Sequence, residues 1–182
     1  MGRSFTKFRN WLAKFSGDER GVSAIEFALI APVMVFLLLG SIEVNLMLTA
    51  DRKITRTTSA IADLVAQDDI ITSDEMDDIF TAASAILAPY DTTPLKMRVT
   101  SIKMDNAGNS TVVWSEGKGM VGRSPGSSFS TPAGILQPNT SVIMSEVRYD
   151  YDSLIGSTLD TAVTMKDTFY LRPRRTAEVI GP

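Results

Sequence analysis

The 182-residue sequence contains no cysteine and no histidine. The first absence excludes a disulfide framework and thiolate metal ligation. The second removes the imidazole that Cys–His and Ser–His–Asp catalysis use as base. Only carboxylate, Lys, Tyr or hydroxyl chemistry remains. A basic excess is missing too: Lys and Arg number 18 against 21 Asp and Glu, which argues against a general nucleic-acid binder. Neither a P-loop nor a dinucleotide fingerprint is present, and no spacing pairs carboxylates into an acid/base couple. The sequence therefore reads as non-enzymatic, with no cofactor and no metal.

The balanced charge hides an asymmetry. Arg3, Lys7, Arg9, Lys14 and Arg20 outnumber Asp18 and Glu19 in residues 1–21, while the remainder is acidic. Directly after this basic leader comes VSAIEFALIAPVMVFLLLGSI, Val22 to Ile42, with Glu26 as its one charge. At about 1.5 Å per residue the run reaches roughly 30 Å, the thickness of a bilayer's hydrocarbon core. The expectation is a transmembrane helix over 22–44. Because Lys and Arg favour the untranslocated side, the N-terminus is expected in the cytoplasm and residues 45–182 beyond the membrane. A cleaved secretory signal would have a shorter apolar region, about 7–15 residues, ending in a small-x-small site that Leu39-Gly40-Ser41 and Leu48-Thr49-Ala50 match poorly.

Glu26 is the anomaly, since a carboxylate costs about 2.5–3.5 kcal/mol at the centre of a membrane helix and less near its end. Its setting, Arg20-Gly21-Val22-Ser23-Ala24-Ile25-Glu26, resembles the processing site of type IV prepilins and pseudopilins. The resemblance implies a cut between Gly21 and Val22 by a membrane aspartyl peptidase. Glu26, fifth in the mature chain, would then register neighbouring subunits by neutralising an N-terminal amine. The run Ala24-Ile25-Glu26-Phe27-Ala28-Leu29-Ile30-Ala31-Pro32, continuing to Gly40 and Glu43, is similar to the TadE-like family of tight-adherence (Tad/Flp) pilus-assembly proteins over residues 20–65, with YLRPRR (Tyr170 to Arg175) similar to the ends of some relatives. That family implies a minor pseudopilin of a Tad/Flp-type pilus or related secretion machine, with a structural role in pilus assembly and surface adhesion. The implied partners are inner-membrane lipid, the prepilin peptidase, other pilin or pseudopilin subunits and the assembly machinery, with no nucleic acid. The implied location is the bacterial inner membrane, single-pass, C-terminal domain periplasmic. The alternative is an uncleaved single-pass protein whose exported domain scaffolds a secretion or adhesion complex. Val22 departs from the aromatic residue that prepilins often place at the new N-terminus.

Pro32 removes one intrahelical hydrogen bond and is expected to kink the span. Glu43 reads as an interfacial charge. Beyond the membrane, Leu46, Ala50, Ile54, Thr57, Ile61 and Leu64 recur at helical spacing, which extends one helix to about Gln67, with a break near Asp51 left open. Six acids between Asp68 and Asp78 read either as a cation site or as the acidic first turn of a second helix capped by Ser73 and stopped by Pro89. From Leu95 the period is two, with a phase reversal that suggests a bulge near Thr100-Ser101. Strands are expected over 95–104, 110–115, 141–151 and 164–171, with a Gly-, Ser- and Pro-rich flexible loop over 117–140. Arg172, Arg174 and Arg175 read as a site for an anionic partner or as a solvated terminus. The fold expected is α+β and pilin-like: a long N-terminal helix, half in membrane and half exported, a second helix, then an antiparallel sheet of about four strands.

Overall fold

The computed structural model describes residues 19–153 and 163–182, so the expected leader lies outside the described residues except for its last three. The chain divides into two compact units, Met1–Val44 and Asn45–Pro182. Helix α1, Glu19–Gln67, begins in the first and runs into the second without a break at Asp51. Helix α2, Ser73–Ala85, follows, then four strands: β1 (Leu95–Met104), β2 (Ser110–Lys118), β3 (Ser141–Tyr151) and β4 (Val163–Leu171). All strand pairs are antiparallel, in the order β2-β1-β3-β4. The expected α+β arrangement is the one observed.

In the second unit the buried stripe of α1 is Ala50, Ile54, Thr57, Thr58, Ile61, Ala62, Val65 and Ala66. The spacing of four after Ile61 carries the face to Val65, and Leu64, expected on it, is solvent-facing. Thr57 and Thr58 tolerate complete burial because their hydroxyls donate to the carbonyls of Lys53 and Ile54 one turn back, at 2.9 and 2.8 Å. The cap of α2 is Thr72, one residue before the expected Ser73. The Glu75 N–H donates to the Thr72 hydroxyl at 3.3 Å, and the Thr72 N–H donates to the Glu75 carboxylate at 2.9 Å, forming a capping box. The C-cap of α2 and the turn after it take a partner from α1: Lys53 Nζ donates to Ile86 O at 3.1 Å and to Ala88 O at 2.6 Å.

The phase reversal in β1 has a cause other than a bulge in that strand. β1 pairs with β3 in unbroken register from Leu95↔Tyr149 to Lys103↔Ser141. The extra residue is on β2, where Ser101 faces Trp114 and Ile102 faces Val112, leaving Val113 unpaired. Met97 and Val99 belong to the main core with Ile54, Ile61, Val65, Phe80 and Val147. Ile102 belongs to a second, smaller core on the other face, with Val142, Met144 and Leu136. Both faces of β1 are covered, so its apolar residues change side midway. The cover on the outer face is the segment 119–140, which supplies Leu136, Phe129 and Ile135. The expected loop starts two residues late, because Gly117 and Lys118 are still in β2.

The segment after β4 straps the layers together. Arg174 N–H donates to Ala66 O at 2.9 Å, Ile71 N–H to Ile180 O at 2.9 Å and Ile180 N–H to Asp69 O at 2.9 Å. Trp114 Nε1–H, in the core, donates to Val179 O at 2.8 Å. Gly181 lies flat on the indole, where an added Cβ would stand 2.3 Å from a ring carbon. Gly181→Ala is accordingly expected to cost about 1–3 kcal/mol through overpacking, measured as a lower urea midpoint for the detergent-solubilised chain. An unchanged midpoint would show that the strap yields without loss.

Candidate functional site

Gly21, Val22, Glu26 and Pro32 all lie in α1, in the first unit. Gly21 has nothing within 4 Å of where a Cβ would stand, so its small size answers to no neighbour in the described structure. Val22 and Glu26 are four residues apart, which places the carboxylate one turn further along the same helix face. Both are exposed. The helix continues through Pro32, whose missing N–H leaves the carbonyl of Ala28 without its usual donor. Through this stretch the apolar side chains face outward: Phe27 is 73% exposed and Phe36 77%. Large apolar groups exposed on every side of a helix are stable only in a nonaqueous or protein environment. Among the described residues this is one helix long and apolar enough to cross a membrane. Glu43, expected at an interface, is buried.

The acids of the run are exposed, and among the described residues they are not gathered on one point. Glu75 is committed to the capping box, Asp68 lies 3.9 Å from Arg175, and Asp69 lends its backbone carbonyl to Ile180. Arg174 pairs with Asp63, and Arg172 donates to Ile135 O at 3.3 Å. The three arginines are thereby tied to the chain's own surface. The tyrosines do not form one surface. Tyr149 and Tyr151 are in the main core, with Tyr151 edge-on to Tyr90 at 6.3 Å, and Tyr170 packs on the outer one.

One polar cluster was not legible beforehand. Arg98 on β1 and Glu146 on β3 are direct cross-strand partners on the outer face. Arg98 grips the carboxylate through Nε at 2.9 Å and Nη2 at 3.1 Å. Arg123, from the covering segment, binds the same carboxylate through Nη1 and through Nη2 at 3.0 Å. Its guanidinium also lies 4.9 Å over the Phe129 ring. Each of the three charged side chains is only about a fifth exposed. Burial raises the Glu146 carboxyl, but hydrogen bonds from Arg123 and Arg98, reinforced by their charges, hold it below the usual glutamate value. Opposite charges at outward positions of two strands were the available signal, but the register that joins them is not written locally.

In comparison with known proteins, residues 21–63 fit the family model described as TadE-like protein. The matched segment runs from Gly21 through the whole apolar stretch and into the buried stripe of the second unit. No curated protein and no solved structure matches the chain.

A group whose carboxyl is lowered by folding stabilises the fold above its unfolded value, and that stabilisation is lost as pH falls through the folded value. Glu146→Gln should therefore cost about 1–3 kcal/mol at pH 7, because two arginines lose the charge of their acceptor and one of its two accepting oxygens becomes an N–H donor. The gap to the parent should close below about pH 4. Urea midpoints of both proteins between pH 7 and pH 3 test this, and a gap independent of pH would assign the cost to packing.

Proposed function

We propose that the chain is a minor pseudopilin of a Tad/Flp-type pilus or a related secretion machine, inserted in the bacterial inner membrane with its second unit in the periplasm. Its role is structural, in assembly and surface adhesion, and not catalytic. The observation that carries this reading is the coincidence of the TadE-like match with an exposed apolar helix that begins at a basic-Gly boundary and has a lone carboxylate one turn in.

In the processing step, prepilin peptidase hydrolyses the Gly21–Val22 peptide bond. Gly21 suits it because glycine is the residue whose backbone is most readily drawn out of a helix. The freed amine of Val22 then stands at a helix N-terminus, where a positive charge opposes the dipole. The Glu26 carboxylate of a neighbouring subunit neutralises it in a medium where unpaired charge is expensive. Pro32 supplies a bend that adjacent helices accommodate. Partners on this reading are membrane lipid, prepilin peptidase and other pilin-type subunits.

A second reading is an uncleaved single-pass scaffold, in which α1 stays continuous across the Gly21–Val22 bond as it is in the intact chain. Mass spectrometry of the chain extracted from membranes of a cell with active prepilin peptidase separates the two. The first reading expects a chain starting at Val22 and an uncut precursor for Gly21→Ala; an intact Met1 terminus would select the second. Glu26→Ala is expected to insert normally but to abolish or strongly reduce assembled pili on electron micrographs. Normal piliation in that strain would remove the registration role.

A further inference from the structure

α1 does not cover the whole width of the sheet. Val99, Ser145 and Phe169 lie opposite one another on β1, β3 and β4; the first two are fully buried, while Phe169 is 37% exposed. In the adjacent row Ser101 and Ile143 are fully buried and Leu171 only partly so. The inner face of β4 thus forms one wall of an open groove of about 530 Å³ whose other wall is α1. Ile86, Phe169 and Leu171 give it an apolar lining, and Arg56, Asp63 and Arg174 its charge.

The two edges of the sheet differ. Along β2 the edge is closed by backbone bonds from the covering segment: Val112 N–H to Ser127 O at 2.9 Å, Gly126 N–H to Val112 O at 2.8 Å and Phe129 N–H to Ser110 O at 2.9 Å. The outer edge of β4 has no backbone partner among the described residues. The charges of the groove are also unequal. Asp63 is taken up by Arg174, and Arg56 makes no ion pair among the described residues, so the lining has an excess positive charge.

We propose that this edge and groove receive an extended segment of another polypeptide, with alternating apolar and polar residues and one carboxylate. It adds to β4 as a fifth strand, with an apolar side chain on Phe169 and Leu171 and its carboxylate at Arg56. A second copy of β4 is the poorer occupant. Two-fold antiparallel pairing requires some residue to face its own copy, and the register of full overlap sets Asp167 against Asp167. The next registers set Lys166 against Lys166 on one side and Thr168 against Thr168 on the other. Like charges at the centre oppose the first two registers, and the third pairs only 165–171, whereas an acidic foreign strand can pair β4 along its whole length.

The test uses the full chain in detergent micelles and two soluble nonapeptides that alternate Val with Thr, one with a central Glu and the other with Lys in its place. Binding is read by fluorescence anisotropy, and the site by amide hydrogen exchange over 163–171. The proposal expects the Glu peptide to bind at least tenfold more tightly and to slow exchange in β4. Arg56→Glu should reverse the preference, and Phe169→Ala should weaken both peptides with an unchanged melting temperature. It is overturned if neither peptide binds, if Arg56→Glu leaves the preference intact, or if β4 is protected only as the chain's own concentration rises, which would identify a second copy as the occupant.

Discussion

The close seating of α1 on the sheet is the constraint that governs residues 45–182. The helix presents Ala50, Thr57, Thr58, Ala62 and Ala66 along its buried stripe, and the inner face of the sheet presents Ser101 and Ser145 at its centre, all without solvent exposure. Ser101 and Ser145 leave their hydroxyls without a hydrogen-bond partner in the described structure. Each such group costs about 1–3 kcal/mol, so what these serines contribute is small volume. Larger residues there would lift α1, and with it the ammonium of Lys53 that closes the end of α2 and the Ala66 carbonyl that receives the strap.

That seating also divides the sheet unequally. β1 and β3 are buried on the inner side by the helices and covered on the outer side by residues 119–140, which is why they read as strands with apolar residues on both faces. β2 is sealed by the same covering segment. β4 is left with a half-open face and, among the described residues, an unpaired edge. The Arg98–Glu146–Arg123 cluster fastens the covering segment across β1 and β3, the two central strands of the sheet.

Element identity was largely legible in the sequence because it is set by local period. The 3.6-residue stripe in α1, the alternation in β1 and β3 and the Pro- and Gly-rich interruptions all gave the right elements within a few residues. The errors were of another kind. Leu64 was placed on the buried face because spacings of three and four are equally helical, and only packing chooses between Leu64 and Val65. A bulge does fall beside Ser101, as expected, but its extra residue is on β2, and one strand read alone shows neither that nor the second core on its other face. Thr72 and Ser73 are equivalent cap candidates until the Glu75 carboxylate selects one. The apolar helix and its lone carboxylate were visible from composition alone, whereas the arginine clamp on Glu146 depends on a register between residues 48 apart in the chain.

The strap after β4 has a consequence in time. The C-terminal turn of α1 gains its backbone partner at Arg174, and Asp63 pairs with a guanidinium 111 residues further along. Joining such distant segments carries a loop-closure cost that local helices avoid, and domains dominated by distant pairings close slowly. Any machinery that handles the chain before position 180 has emerged meets a domain whose first helix is formed but not yet locked. Closure of the unit therefore waits on residues 174–180, far along the chain from the helix end they lock.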